Sequence, residues 1–148
     1  MKPNRTSDPE MFYDSTIEDY ILFLCGSWSN ASTILRKNSF KFPKNPHKDY
    51  QLNHPSISIA NLINIEIITR TITNVCGKRE YIVSINEPPD VSLHIMSKKL
   101  SLRSIREKQI FTIEFTLQRP LNNKYVFGSY TWSDGSHLVR SPIAVSSM

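Results

Sequence analysis

The sequence predicts a mainly β protein, a two-sheet sandwich of seven or more strands preceded by a short α-helical segment. Three observations lead there. From Leu52 onward the apolar residues recur with a period of 2 where the preceding stretch has a period near 3.6. The strand-like runs are short, and turn residues interrupt them about every ten positions, the rhythm of a sandwich of roughly 100 residues. The chain also closes on a hairpin pattern, Val126 to Trp132 and Leu138 to Val145, joined through Ser133-Asp134-Gly135. In that turn Gly135 can take positive φ at little steric cost, and Ser133 and Asp134 can bond their own backbone.

The elements follow in order. Ser15-Thr16-Ile17-Glu18 spells a capping box, and Ile17, Tyr20, Ile21 and Leu24 recur at spacings of three and four. A helix is therefore expected from about Thr16 to Cys25, with Gly26 ending it in the left-handed region. A second helix is expected from Asn30 as N-cap through Ala31, Ile34 and Leu35, with Arg36 and Lys37 at its negative end. Residues 39–49 then turn to Lys, Asn and Pro, and Pro43 and Pro46 remove backbone donors, so this stretch reads as a linker. Apolar alternation follows at Ile57 and Ile59, at Ile63, Ile65 and Ile67, and at Tyr81, Val83 and Ile85. It resumes at Val91, Leu93 and Ile95 after Pro88-Pro89-Asp90, then at Leu100 and Leu102. The clearest strand sets Phe111, Ile113, Phe115 and Leu117 against Thr112, Glu114 and Thr116.

Composition narrows the function classes. The 148 residues are 39% apolar and 10% aromatic, enough for a core. The net charge of +5 is spread in nothing longer than pairs such as Lys78-Arg79 and Lys98-Lys99, which does not fit a nucleic-acid footprint. No run reaches the roughly 18 apolar residues of a membrane span, and Met1 to Glu10 lacks the apolar core of a signal peptide. As written, the chain is expected to stay in the cytoplasm if made alone. Cys25 and Cys76 can make one bond at most, and a bridge between a helix and a distant strand end is not favoured.

Few residues are candidates for chemistry. No Gly-x-Ser-x-Gly elbow occurs, and His47, His54, His94 and His137 are expected in solvated or packing roles. Catalytic, cofactor and metal residues are therefore expected to be none, since the cysteines and histidines lack the paired spacing of a zinc site. Asp134, beside a turn glycine, reads as structural. Arg70 interrupts the β-branched run Thr69 to Val75 and is either a domain contact or an outward-facing residue on a half-solvated sheet. Tyr130 and Trp132 either pack against the upstream segment or belong to the core, the latter being favoured because aromatics dominate sandwich interiors.

Read together, Asp8-Pro9, Tyr13-Asp14, Glu18-Asp19-Tyr20, Phe23-Leu24-Cys25, Thr69-Arg70-Thr71 and the closing hairpin resemble the C-terminal part of a plant subtilisin-like serine protease. The resemblance runs from about Pro3 to Val145. It implies a helical C-terminal remnant of a peptidase domain at residues 1–38, a linker at 39–49, and a fibronectin type III-like domain at 50–148. It implies also that the catalytic aspartate, histidine and serine blocks would all precede Met1. Several positions depart from the family pattern. Glu10 stands where Asp-Pro-Gly-Leu-Val-Tyr-Asp has glycine, and Phe42 stands where many relatives have a cysteine expected to pair with the one matching Cys25. Cys76 is an extra thiol in Asn74-Val75-Cys76-Gly77, and His54 replaces a tyrosine.

The resulting expectation is a non-catalytic accessory domain that stabilises and orients the peptidase domain of a longer parent. That parent would be a secreted, extracellular (apoplast or cell wall) serine endopeptidase. Its secretion would give meaning to the glycan acceptor patterns at Asn4 and Asn30. The expected partner is the peptidase domain, with a homodimer as a further arrangement, and without nucleic acid, membrane span or cofactor. The competing expectations are a stand-alone interaction module binding through Thr69 to Val75, and a gene fragment without function.

Overall fold

The computed structural model describes residues 11–27 and 48–148. In chain order the strands are β1 (Met11–Tyr13), β2 (Ile57–Ile59), β3 (Ile65–Asn74), β4 (Arg79–Asn86), β5 (Val91–Ile95), β6 (Lys99–Leu102), β7 (Lys108–Leu117), β8 (Val126–Ser133) and β9 (Leu138–Val145). One helix, α1, spans Ile17–Ser27, and a 3-10 turn spans Asp49–Gln51. The strands form a four-stranded sheet in the order β1-β3-β7-β5 and a five-stranded sheet in the order β2-β9-β8-β4-β6. Every pairing is antiparallel except that of β2 with β9. This is the β-sandwich that the period-2 pattern predicts.

The inward faces follow from alternation. Phe111, Ile113 and Phe115 of β7 and Val91, Leu93 and Ile95 of β5 meet Tyr130 and Trp132 of β8 and Ile143 and Val145 of β9. The Phe111 ring packs edge-on against Trp132 at 5.2 Å and against Tyr130 at 5.9 Å between centroids. Gly128 fits because a Cβ there would stand 2.6 Å from the Asn86 carbonyl oxygen and 2.7 Å from Pro88 Cδ. Two free edges are closed by side chains. Glu87 Oε1 accepts from Leu93 N–H on β5 at 2.8 Å, and the Gln109 amide bonds both backbone groups of Ser101 on β6 at 3.1 and 2.7 Å. Each contact removes backbone groups at the middle of an edge strand from pairing with another chain.

Three expectations change. Ile63, Ile65 and Ile67, the apolar-alternating run, are 72, 56 and 50% exposed, and the inward residues of β3 are Ile68, Arg70 and Ile72. Register decides this, because β7 sets Ile68 opposite Ile113 and Arg70 opposite Phe111, and period 2 leaves no intermediate choice. The helix does not end at Gly26 but runs to Ser27. Its cap is one residue later than the capping-box spelling. Thr16 Oγ1 accepts from Asp19 N–H at 3.2 Å, Asp19 Oδ2 accepts from Thr16 N–H at 2.7 Å, and Ser15 is turned to another partner. The expected second helix, Asn4, Asn30, most of the 39–49 stretch and the Cys25 side chain lie outside the described residues.

Candidate functional site

Strand β1 lies where the sequence predicts only helix, and it is the centre of the site. Met11 to Tyr13 pairs with Asn74 to Ile72, placing a segment from ahead of α1 on the edge of the four-stranded sheet. Alternation sends Met11 and Tyr13 inward and Phe12 outward, and Met11 is buried at 4% exposure while Phe12 keeps 39%. The Tyr13 hydroxyl lies 3.0 Å from both the Tyr130 hydroxyl and Ser141 Oγ, so β1 is tied through the core to β8 and β9 of the opposite sheet. Burial pushes the Tyr13 phenol far up and the Tyr130 phenol up as well, so both stay neutral and free to share protons.

Where β1 ends, Asn53 takes its place on the β3 edge. Its Oδ1 accepts from Thr71 N–H at 2.9 Å, and its Nδ2 donates to the Thr71 carbonyl at 2.8 Å and to the Asp14 carbonyl at 3.0 Å. Ser15 Oγ donates to the Asn53 carbonyl at 2.6 Å. One side chain thus joins three segments far apart in sequence. Farther along the same edge Gln51 Nε2 donates to the Ile67 carbonyl at 2.9 Å. Lys108 Nζ adds an exposed ion pair to Asp14 Oδ2 at 2.8 Å.

Arg70 is 1% exposed and points inward, so the outward-facing alternative is excluded. Among the described residues no carboxylate pairs with it. Its guanidinium donates to the carbonyls of Tyr50 at 2.9 Å, His54 at 3.0 Å, Thr69 at 3.2 Å and Gln51 at 3.4 Å. Taking a guanidinium out of water is costly, and burial lowers its proton affinity, yet its fork of donors is matched by carbonyl acceptors. The physical result is a clamp that fixes the path of residues 50–54. That path presents Asn53 to Thr71. Tyr130 and Trp132 are fully buried, and Tyr130 also touches the upstream segment through Tyr13, so the two readings offered for it coexist.

Helix α1 leaves Ile17 80% exposed and Tyr20 51% exposed while burying Ile21. Asp19, Leu22 and Phe23 line a shallow groove with Gln51, Leu52 and Ile67. A second polar cluster sits at the closing hairpin. Asp134 accepts from the backbone N–H of Ser136 at 2.9 Å and of His137 at 2.6 Å, lies 3.0 Å from His137 Nδ1, and pairs with Arg79 at 3.6 Å. Burial works against the charge, but the His137 and Ser136 contacts win and hold this carboxyl well below the usual range. His54 bonds Ser56 Oγ at 2.8 Å, and His94 stands exposed on the outer face of β5. No group of three or more metal-ligating side chains occurs among the described residues.

Arg70, Tyr130 and Trp132 stand out in the sequence, whereas Asn53 and Ser141 do not, and Tyr13 does so only as part of a motif. Asn53, a polar residue in Leu52-Asn53-His54-Pro55, gave no periodic signal.

The fibronectin type-III domain family matches residues 51–145. Among curated proteins, the chain is 34% identical over 149 residues to the subtilisin-like protease SBT5.3 of Arabidopsis thaliana, covering 98% of this chain and 19% of that one. It is 31% identical over 149 residues to the subtilisin-like serine-protease S of Lotus japonicus, covering 99% and 20%. The chain therefore spans about a fifth of the length of these relatives and matches their C-terminal region. A solved FixG-related protein from Vibrio parahaemolyticus aligns with a TM-score of 0.45 and 14% identity over 56% of this chain and 78% of its own. The chain belongs to the fibronectin type-III domain family, in the form found at the C-terminal end of plant subtilisin-like proteases.

Proposed function

We propose that this chain is the non-catalytic C-terminal accessory sandwich of a subtilisin-like serine endopeptidase, and that it stabilises and orients the peptidase domain upstream. The observation that carries the reading is β1. The segment that the family resemblance assigns to the end of the peptidase domain is an edge strand of the sandwich, paired over Met11–Tyr13 and hydrogen-bonded through Tyr13, Asp14 and Ser15. A chain held at such a point cannot swing freely against the sandwich. The exposed Ile17 and Tyr20 of α1 are then the apolar surface offered to the peptidase domain. In this reading the intact protein is secreted, its glycans stand on Asn4 and Asn30, and its catalytic groups come from upstream of Met1.

The rival reading, a stand-alone module binding through Thr69 to Val75, finds that stretch occupied. Thr69 to Thr73 pair with β7 on one side, and on the other β1 and Asn53 cover Thr71 to Asn74.

The test uses the longer protein carrying the upstream domain. Ile17→Asp combined with Tyr20→Asp should lower the temperature at which peptidase activity is lost by several degrees, while the circular dichroism melt of the 148-residue chain stays within about 0.5 kcal/mol of the parent. Unchanged thermal inactivation would remove the proposal.

A further inference from the structure

We propose that the edge of β3 beside Tyr130 and Ser141 is a strand-acceptor site selective for an extended peptide of the pattern apolar-x-Tyr-Asp-Ser, which residues 11–15 occupy in this chain. The inference stands on the contacts and holds whatever domain lies upstream.

Four of the five positions of the segment meet a reading group. Met11 enters the apolar core at 4% exposure, and Phe12, facing outward, is the unread position. Tyr13 is read by its hydroxyl, 3.0 Å from both Tyr130 and Ser141, at the bottom of a site where an aliphatic side chain would leave these two groups without that partner. Asp14 is read twice, its carbonyl by Asn53 Nδ2 at 3.0 Å and its carboxylate by Lys108 at 2.8 Å. Ser15 is read by the Asn53 carbonyl at 2.6 Å. The backbone pairing supplies affinity and the alternate side chains supply selectivity, as in other cases of strand addition.

The site also has a fixed length and register. Asn53 fills the edge at Thr71, so only the positions opposite Ile72 to Asn74 accept a strand. A slip by one residue would turn Phe12 inward and Tyr13 out, leaving the Tyr130 and Ser141 hydroxyls to an unmatched ring. The free edges of β5 and β6 are each covered at one residue by Glu87 and Gln109 of the sandwich itself, whereas this one is covered by a short segment separated from β2 by more than 40 residues. The same sequence on another chain can take its place.

The probe is the blocked peptide Met-Phe-Tyr-Asp-Ser carrying a fluorophore, titrated into the full chain with its own segment weakened by Met11→Asp and Tyr13→Ala. Saturable binding to this variant and none to the parent chain is expected. The peptide with Phe in place of Tyr should bind about fivefold more weakly, the equivalent of one hydrogen bond of about 1 kcal/mol. Equal binding of a scrambled peptide, or no binding by a variant that remains folded, overturns the proposal. Should the variant not fold, a specific protease site inserted at position 38 of the parent chain replaces it. After cleavage the 1–38 fragment should co-elute with the remainder on size exclusion, and a Tyr13→Phe fragment should exchange with added parent fragment about fivefold faster. Immediate separation of the parent fragments would overturn the proposal equally.

Discussion

The β1 junction and the β8–β9 turn are both built from polar side chains bonded to backbone, but they are assembled over very different distances along the chain. At the turn, Ser133, Asp134, Gly135 and His137 satisfy one another within five positions, with Gly135 at φ 95°. At the junction, Tyr13 meets Tyr130 and Ser141 more than a hundred residues away, and Asn53 bridges Asp14 and Thr71. The turn forms with its own hairpin and only shapes its end. The junction exists only when the whole sandwich is assembled, so it reports on the upstream segment and the core together.

Substitutions should separate the two regions by size of effect. Arg70→Ala should be the most damaging, about 3–4 kcal/mol in urea unfolding, because it opens a core cavity and strips donors from the carbonyls of Tyr50, Gln51 and His54. A loss under about 1 kcal/mol would mean that the clamp is replaced by water. Asn53→Ala should cost about 2 kcal/mol by the same measurement, since the backbone groups of Thr71 and the Asp14 carbonyl lose their partner. It should also speed amide exchange in β1 relative to β7.

Tyr13→Phe should cost about 1 kcal/mol at neutral pH, and it makes a pH prediction with a defined sign. The folded-state pKa of Tyr13 is raised above its ordinary value near 10, so its contribution is present below that pH and is lost as pH rises above it. The parent chain should therefore lose stability above about pH 10 more steeply than Tyr13→Phe, with Tyr130 supplying the remainder of the slope. Parallel pH profiles would refute the buried neutral phenol. Asp134→Ala should be the mildest, about 1 kcal/mol or less. The folded-state pKa of Asp134 is depressed, so its contribution is present above the ordinary carboxylate value and is lost as pH falls below it. The Tm of the variant should accordingly fall less steeply than that of the parent as pH drops below about 4.

What the sequence disclosed tracks the same divide. The strands from Ile57 to Val145 announce themselves because burial on one face writes a period of 2 into consecutive residues, and Ser133-Asp134-Gly135 announces a turn because its bonds are local. β3 misleads because its outward face happens to carry Ile65 and Ile67, while its inward face includes a buried arginine. β1 is invisible because three residues give too short a period, and its partner strand begins 52 residues beyond its last residue. Arg70 stands out as a charge in a β-branched run, but nothing near it in sequence reveals that, besides Thr69, its acceptors are the carbonyls of Tyr50, Gln51 and His54. Backbone acceptors leave no residue-type signature. The site was therefore legible where side chains pair locally and hidden where side chains bond distant backbone.

The most direct test of the account is native-state amide hydrogen exchange of Met11–Tyr13 compared with Phe111, Ile113 and Phe115 of β7. If the upstream segment and the sandwich form one cooperative unit, the Phe12 amide, which faces Thr73 in the ladder, should exchange with an opening free energy within about 1 kcal/mol of the β7 core and lose that protection in Asn53→Ala. Exchange of β1 through a local opening several kcal/mol cheaper than that of β7 would show that the segment detaches while the sandwich stays folded, and would contradict the account.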